Sequence, residues 1–209
     1  MGTSKNSEIT CLKIIEAAGQ LFAEKGFKAV TVREIVSAAD THLSALNYHF
    51  KNKEALYVGV LEDACRSVAT TKEDQQALLK LPSTQALFAY VQGCVEGYVT
   101  QDGQEWRVAL VSRNTVAPEA ISNDIIQRYF HSELHFLSKI IARILEKPED
   151  HPQTHFSALS LFGLMDAFGF YGVHTKGLSP TIVSNMQDST WLAEHIVSLF
   201  VSGATSLKM

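Results

Sequence analysis

The sequence predicts an all-α protein. Apolar residues recur at spacings of three and four along most of its 209 residues, which is the period of an amphipathic helix. Only five prolines interrupt the chain, and no segment alternates apolar and polar residues as a half-buried strand does. Hydrophobic residues make up 46% of the chain, enough for a sizeable buried core. We therefore expect about nine helices, separated by short turns.

Residues 31–53 predict two short helices joined by a tight turn. Thr31 and Glu34 have the T-x-x-E spacing of a capping box, which starts a helix by satisfying its free backbone N–H groups. An apolar stripe at i, i+3, i+4 and i+7 follows, and after a turn at residues 40–42 a second stripe begins. Such a pair of helices forms a helix-turn-helix, whose second helix can enter the DNA major groove. The stripes are Val32, Ile35, Val36 and Ala39, then Leu43, Leu46 and Phe50.

The outward face of the second short helix carries small and hydrogen-bonding side chains, without a carboxylate. Small residues let a helix approach base edges, and an asparagine can pair bidentately with adenine. The alternative is a surface αα-hairpin with no ligand, and spacing alone leaves both interpretations open. With Leu46 and Phe50 turned inward, the outward residues are Ser44, Ala45, Asn47, Tyr48 and His49.

Lys53 stands where a helix dipole disfavours a cation. If Asn52 caps the next helix, Lys53 lies in its first turn, at the positive end of the dipole. A bound phosphate would explain this position, because a helix N-terminus and a lysine both attract anions. In the surface-hairpin alternative, Lys53 is a solvated lysine.

Beyond Lys53 the pattern predicts further helices with few breaks. The first runs from residue 52 or 53 into the low seventies, and the next starts at a cap on Ser83 and extends to Thr100. A helix from Glu105 to about Asn114 precedes the longest amphipathic run, at residues 119–146. Lys147-Pro148 stops that run.

The last third of the chain contains two strongly apolar helices. Residues 156–173 hold a single charge, Asp166, and a second apolar helix spans 191–201. We reject a membrane span, because Asp166 lies mid-segment at a large insertion cost and no basic flank sets an orientation. Helices that are apolar all round are normally buried. We therefore predict a homodimer through four helices, two from each subunit, around residues 155–173 and 190–202.

Aromatic and flexible apolar side chains between the two ends predict a cavity. As a group they suit a largely apolar cavity with a few polar contacts, although for each single aromatic plain core packing is the better explanation. The apolar candidates are Phe88, Tyr98, Trp106, Phe136, Phe162, Met165 and Phe168, and the polar ones are Arg107, His131, His135 and Asp166.

The charge of the chain is divided unevenly. Its net charge is −4, yet residues 1–53 contain seven Lys/Arg and five Asp/Glu, a net of +2. Residues 54–209 contain 11 Lys/Arg and 17 Asp/Glu, a net of −6. This asymmetry indicates that only the N-terminal end faces nucleic acid.

Two stretches near the N-terminus match a family pattern in order and spacing. They are IIEAAGQLFAEKGFKAVTVREIVSAAD and LNYHFKNKEALY. On these residues the chain resembles the TetR family of bacterial transcriptional regulators. The resemblance implies a three-helix helix-turn-helix DNA-binding domain at 1–53 and a helical effector-binding and dimerisation bundle at 54–209. It further implies a regulator, most often a repressor, that a small-molecule effector releases from a palindromic double-stranded DNA operator.

The resemblance also assigns a role to each of eight residues. Thr31 caps the second helix against a phosphate. The base-reading positions are Leu43, Ser44, Ala45 and Asn47, and the residues that hold the DNA backbone are Tyr48, His49 and Lys53.

The turn departs from the family pattern at Asp40, Thr41 and His42. The family's usual helix-capping serine or asparagine is a histidine here, and Asp40 brings a negative charge close to the DNA. We expect these two departures to alter the cap and the local affinity.

Other functions have weaker support. The sequence contains no G-x-S-x-G, P-loop, GxGxxG or HExxH motif, so we expect no enzyme activity and no cofactor. The pairs His131/His135 and His151/His155 have i, i+4 spacing but no third ligand nearby, so we expect no metal. A protein-binding helical adaptor is the main alternative, and a metal-dependent enzyme is a more remote one. The adaptor leaves the arrangement at residues 47–53 unexplained.

The three cysteines and the N-terminus favour the cytoplasm. Cys11, Cys65 and Cys94 are too few and too far apart for a disulfide framework or a CxxC zinc site. The first ten residues lack the apolar core of a signal peptide.

Overall fold

The structure, a computed structural model, describes residues 2–99, 103, 105–175 and 188–206. All regular structure in these ranges is helical, which confirms the predicted all-α class. The ten helices within these ranges are α1 (Gly2–Lys25), α2 (Val32–Ala38), α3 (Leu43–His49), α4 (Lys53–Val68), α5 (Lys72–Leu79), α6 (Ser83–Val99), α7 (Glu105–Val116), α8 (Asn123–Leu145), α9 (Pro152–Thr175) and α10 (Ser189–Ser206).

The chain folds into two compact units. The first unit runs to Val68 and takes in Trp106–Tyr129, so it contains α1 to α4, most of α7 and the start of α8. The second unit takes in Ala69–Glu105 and continues from Phe130. The functional division after residue 53 stays a prediction, because compactness does not decide which residues bind DNA.

The core of the first unit joins the helix-turn-helix to α1 and α4. Phe22 of α1 and Tyr57 of α4 meet edge to face, with ring centroids 4.9 Å apart. The first predicted stripe is confirmed, since Ile35 and Ala39 are buried and Val32 and Val36 pack against them. The second stripe is only partly correct. Its members Leu46 and Phe50 face inward, whereas Leu43 is 52% exposed.

The core of the second unit is built from α6, α8, α9 and α10. The buried face of α8 confirms the predicted amphipathic run, and Glu146 adopts a φ of 53° just after the helix ends. The N–H of Lys147 then donates to the carbonyl of Ala142 at 3.1 Å, which closes the helix. Core residues from the four helices are Leu87, Val91, Leu137, Ile140, Ile141, Leu161, Met165, Leu192 and Ile196.

The predicted continuation of α4 into the low seventies is wrong. α4 ends at Val68, and Thr71 starts a separate helix by accepting a hydrogen bond from the N–H of Asp74 at 3.1 Å. Thr71 and Asp74 have the same spacing as a capping box, so the sequence did carry a signal for this break.

Among the described residues, no helix is long and apolar enough to cross a membrane.

Candidate nucleic-acid interface and effector core

The start of α2 is fixed by the predicted capping box. The hydroxyl of Thr31 accepts from the N–H of Glu34 at 3.2 Å, and the Glu34 carboxylate accepts from the N–H of Thr31 at 2.8 Å. Lys25 lies 3.0 Å from the same carboxylate. The backbone N–H of Thr31, then Lys25, lower the pKa of Glu34 to about 2. The capping role of Thr31 is thus confirmed, and its contact with a phosphate stays a prediction.

The end of α2 explains the departure at Asp40. Asp40 has a φ of 47°, and its N–H donates to the carbonyl of Ser37 at 3.3 Å. The N–H of Thr41 donates to the carbonyl of Val36 at 3.0 Å. These two bonds form a Schellman motif, whose left-handed position usually holds glycine. His42, the N-cap residue of the next helix, α3, makes no side-chain cap hydrogen bond.

We expect Asp40→Gly to raise the free energy of unfolding by about 0.5–1 kcal/mol, because glycine tolerates the left-handed conformation better than other residues. Asp40→Asn is the matched control, since it removes the charge but leaves a side chain in the left-handed region. Urea unfolding measures the effect. Equal stability of the two variants would show that charge, and not backbone conformation, sets the stability at this position.

The outward face of α3 lies in solvent, on a buried support. Leu46 is fully buried beneath it, while Ser44 and Asn47 are exposed. Tyr48 is 79% exposed, and its ring meets that of His49 edge-on at 5.1 Å. The inner side of α3 is therefore packed against the core and its outer side is accessible, which is the geometry that a helix needs to bind in the DNA major groove.

Lys53 has structural partners that the sequence did not reveal. Its ammonium donates to the carbonyls of Phe27 and Val30, both at 2.9 Å, and lies 4.3 Å from the centroid of the Phe27 ring. Lys53 therefore ties the start of α4 to the loop before α2. An ammonium has three donors, so these bonds leave one N–H for the predicted phosphate contact. Asn52 accepts from the N–H of Ala55 at 2.7 Å, which confirms it as the cap of α4.

Trp106 and Arg107 form a polar cluster with carboxylates of α1 and α4. They belong to the first unit, where the indole N–H of Trp106 donates to Glu16 at 2.7 Å. Arg107 lies 3.4 Å from the Glu16 carboxylate, 3.1 Å from that of Asp63, and 4.3 Å from the Trp106 ring centroid. The sequence did not reveal these contacts, because the partners are tens of residues away along the chain, and a role of Trp106 and Arg107 in effector binding stays a prediction. The cluster ties α7 to α1 and α4.

Two further polar candidates lie in solvent in this structure, so their part in an effector site stays a prediction. His131 and His135 are exposed on α8, on the side away from its buried face. No group of three or more His, Cys, Asp or Glu side chains is arranged to hold a metal ion among the described residues.

The remaining candidates do lie in or against the core of the second unit. Phe136 and Met165 are buried, and Phe162 packs on Phe130 with ring centroids 5.4 Å apart. Phe88 lines an open groove of about 320 Å³ between α6 and α10. Tyr98 and Phe168 pack partly buried against the same core.

Two carboxylates are held within this core. The hydroxyl of Tyr98 donates to Asp166 at 2.8 Å, and burial raises the pKa of Asp166. Glu133, which we did not predict, is 3% exposed, and burial raises its pKa as well. A signal for Glu133 was present in the sequence. It lies three, four and seven residues before Phe136, Leu137 and Ile140, on the buried face of α8.

Helices α9 and α10 present apolar side chains to solvent. The indole of Trp191 stacks on His195 with centroids 5.2 Å apart and planes at 5°. A Cβ atom added at Gly163 or Gly203 would meet nothing within 4 Å, so the space beside these glycines is open within the subunit. The exposed apolar residues are Phe156, Leu159, Trp191 and Leu199.

Comparison with known proteins accounts for both ends of the chain. Residues 14–60 match the model of bacterial regulatory proteins of the tetR family. Residues 83–203, more than half of the chain, match the C-terminal domain of the HTH-type transcriptional dual regulator CecR. The chain belongs to the TetR family. The resemblance found in its first sixty residues is thus confirmed.

Two relatives from Bacillus subtilis match part of the chain. The probable regulator YttP of Bacillus subtilis is 27% identical over 129 residues, 62% of this chain and 61% of its own length. The regulator YerO of the same species is 32% identical over 120 residues, 57% of this chain and 39% of its own. The chain thus matches less than two thirds of each relative. A crystal structure of AibR with isovaleryl coenzyme A and operator DNA superposes with a TM-score of 0.69 at 16% identity, covering 91% of this chain and 97% of AibR.

Proposed function

We propose that this TetR-family protein is a repressor that a small-molecule effector releases from a palindromic operator in the cytoplasm. The observation that carries the proposal is the exposed, carboxylate-free face of α3 above the fully buried Leu46. A helix supported in this way can dock in the major groove without rearrangement of the unit beneath it.

Within that groove we assign two kinds of contact. Leu43, Ser44, Ala45 and Asn47 meet the base edges, since they lie at the N-terminal and outward part of α3. The residues that hold phosphates are Thr31, Tyr48, His49 and Lys53. Base contacts specify the sequence, while phosphate contacts fix the position of the helix on the duplex.

We assign the exposed apolar face of α9 and α10 to a second copy of this chain. Large apolar patches on a soluble subunit mark interaction sites, and a palindromic operator requires a two-fold dimer. The open space beside Gly163 and Gly203 allows helices of the partner subunit to approach closely.

We assign effector binding to the helical core of the second unit. AibR has been crystallised with both an acyl coenzyme A and operator DNA, which supports effector control in a protein of this fold. The effector acts only if it binds the DNA-free conformation more tightly than the DNA-bound one.

The base-reading assignment is tested with Asn47→Ala and Tyr48→Phe. We expect Asn47→Ala to reduce discrimination between the operator and mutated operators by about 1–3 kcal/mol, because a bidentate pair with adenine is lost. Tyr48→Phe removes only a phosphate-directed hydroxyl, so it should weaken binding to all sequences alike. Fluorescence anisotropy on labelled DNA fragments measures both.

Gln127→Ala is the matched control, because Gln127 is an exposed amide of the first unit on α8. It should bind DNA like the wild type. Unchanged discrimination in Asn47→Ala would remove Asn47 from the base-reading positions.

A further inference from the structure

The junction between α4 and α5 is held by one buried side chain. The chain passes from the first unit to the second between Val68 and Ala69. At the next residue, the N–H of Thr70 donates to Glu133 Oε1 at 3.0 Å and its hydroxyl donates to Glu133 Oε2 at 2.9 Å. Its carbonyl accepts from Gln75 at 3.2 Å. All the hydrogen-bonding groups of Thr70 are therefore used within the second unit.

Glu133 connects this junction to the core. It lies on the buried face of α8, and the hydroxyl of Tyr90, on α6, donates to its Oε2 at 3.2 Å. The hydrogen bonds that favour its charged form come from Thr70 and Tyr90. A buried carboxylate depends strongly on such donors, because each one offsets part of its desolvation cost. The position of Thr70 and the packing of α6 against α8 are therefore linked through a single carboxylate.

The other end of α4 is linked to the helix-turn-helix. Lys53, its first residue, bonds the carbonyls of Phe27 and Val30, just before the cap of α2 at Thr31. These bonds hold the start of α4 against the loop at the base of α2.

We propose that Glu133 is the positioning residue through which the effector core controls α4. An effector that takes the hydrogen bond of Tyr90, or draws the Glu133 carboxylate away, releases Thr70 and frees the C-terminal end of α4. Two arrangements of one buried hydrogen-bond network then serve as the two states that a ligand selects between. This inference rests on the proposed function and names the device that regulates it.

The test compares Thr70→Val with Thr71→Val in the full-length protein. Both remove one threonine hydroxyl from the same loop, but Thr71 caps α5 through Asp74 and does not contact Glu133. We expect Thr70→Val to accelerate amide hydrogen exchange at residues 63–68 about five- to tenfold. This is the effect expected when the hydrogen bond from the Thr70 hydroxyl to Glu133 is lost. Operator affinity, measured on the promoter upstream of the protein's own gene, should change by a similar factor. Thr71→Val should affect exchange in α5 alone, and Thr70→Ser should behave like the wild type.

A double variant tests whether Thr70 and Glu133 act through the same interaction. If Thr70 acts through Glu133, Thr70→Val combined with Glu133→Gln should change operator affinity no more than the stronger single variant. Additive effects, or unchanged exchange at residues 63–68 in Thr70→Val, would overturn the inference and leave the proposed function intact. If the wild type does not bind operator DNA, the proposed function fails and the inference fails with it.

Discussion

Leu199→Glu is expected to convert the protein from a dimer to a monomer and to weaken operator binding roughly a hundredfold or more. Leu199 is 54% exposed on α10, within the apolar face that we assign to the second subunit. An uncompensated carboxylate buried at that interface costs several kcal/mol. A monomer can bind only one operator half-site at a time. It therefore loses the affinity gained when two linked subunits bind both half-sites together, which is about 10² to 10⁴.

Sedimentation velocity measures the change in oligomeric state directly. Leu12→Glu is the control for that measurement, because Leu12 is a 63% exposed leucine outside the proposed interface, on α1. Gly163→Leu provides a second route to the same result. A side chain at this position has open space within the subunit, so only a partner subunit would be displaced. Dimers that persist in both Leu199→Glu and Gly163→Leu would place the subunit interface elsewhere.

Gly19→Ala is expected to lower the free energy of unfolding by about 1–3 kcal/mol, although alanine is the better helix former. Gly19 lies in α1, and a Cβ atom there would overlap three carbon atoms of the Trp106 ring. The ring cannot easily move away. Its N–H is bonded to Glu16, and Arg107 lies over its face.

Gly93→Ala is the matched control for this prediction. Gly93 is a helical glycine of α6, and an added Cβ atom would meet nothing within 4 Å. We expect that variant to be more stable than the wild type by up to about 1 kcal/mol, the difference in helix propensity. Urea unfolding measures the free energy of unfolding of both variants. A Gly19→Ala protein as stable as Gly93→Ala would mean that Trp106 does not pack on α1 as the structure shows.

What the sequence predicted correctly depends on neighbours within one or two helical turns. The capping box of Thr31 and Glu34, the cap at Asn52 and the buried stripe of α2 all involve groups three to seven residues apart. Hydrogen bonding and helical periodicity fix such contacts before any tertiary structure forms. For the same reason the two short helices in residues 31–53 and the turn between them were recognisable from the sequence.

What the sequence did not reveal depends on contacts between distant segments or on backbone conformation. Arg107 meets Glu16 and Asp63 only after α1, α4 and α7 have packed together. The aspartate at position 40 looked like an unfavourable charge, and only its positive φ explains why a residue tolerant of the left-handed conformation stands there. Glu133 was only partly predictable from the sequence. Helical phase places it on the buried face, but nothing local identifies Thr70 as its partner.

The most direct test of the central claim is binding of the wild-type protein to the promoter upstream of its own gene, titrated with salt. Fluorescence anisotropy with this fragment and with a scrambled fragment gives the specific and non-specific affinities at each salt concentration. We expect the promoter to bind more tightly by about 10³ or more, with log affinity falling linearly as log salt rises. Equal affinity for the two fragments, or no binding to either at low salt, would contradict a role as a sequence-specific DNA-binding regulator.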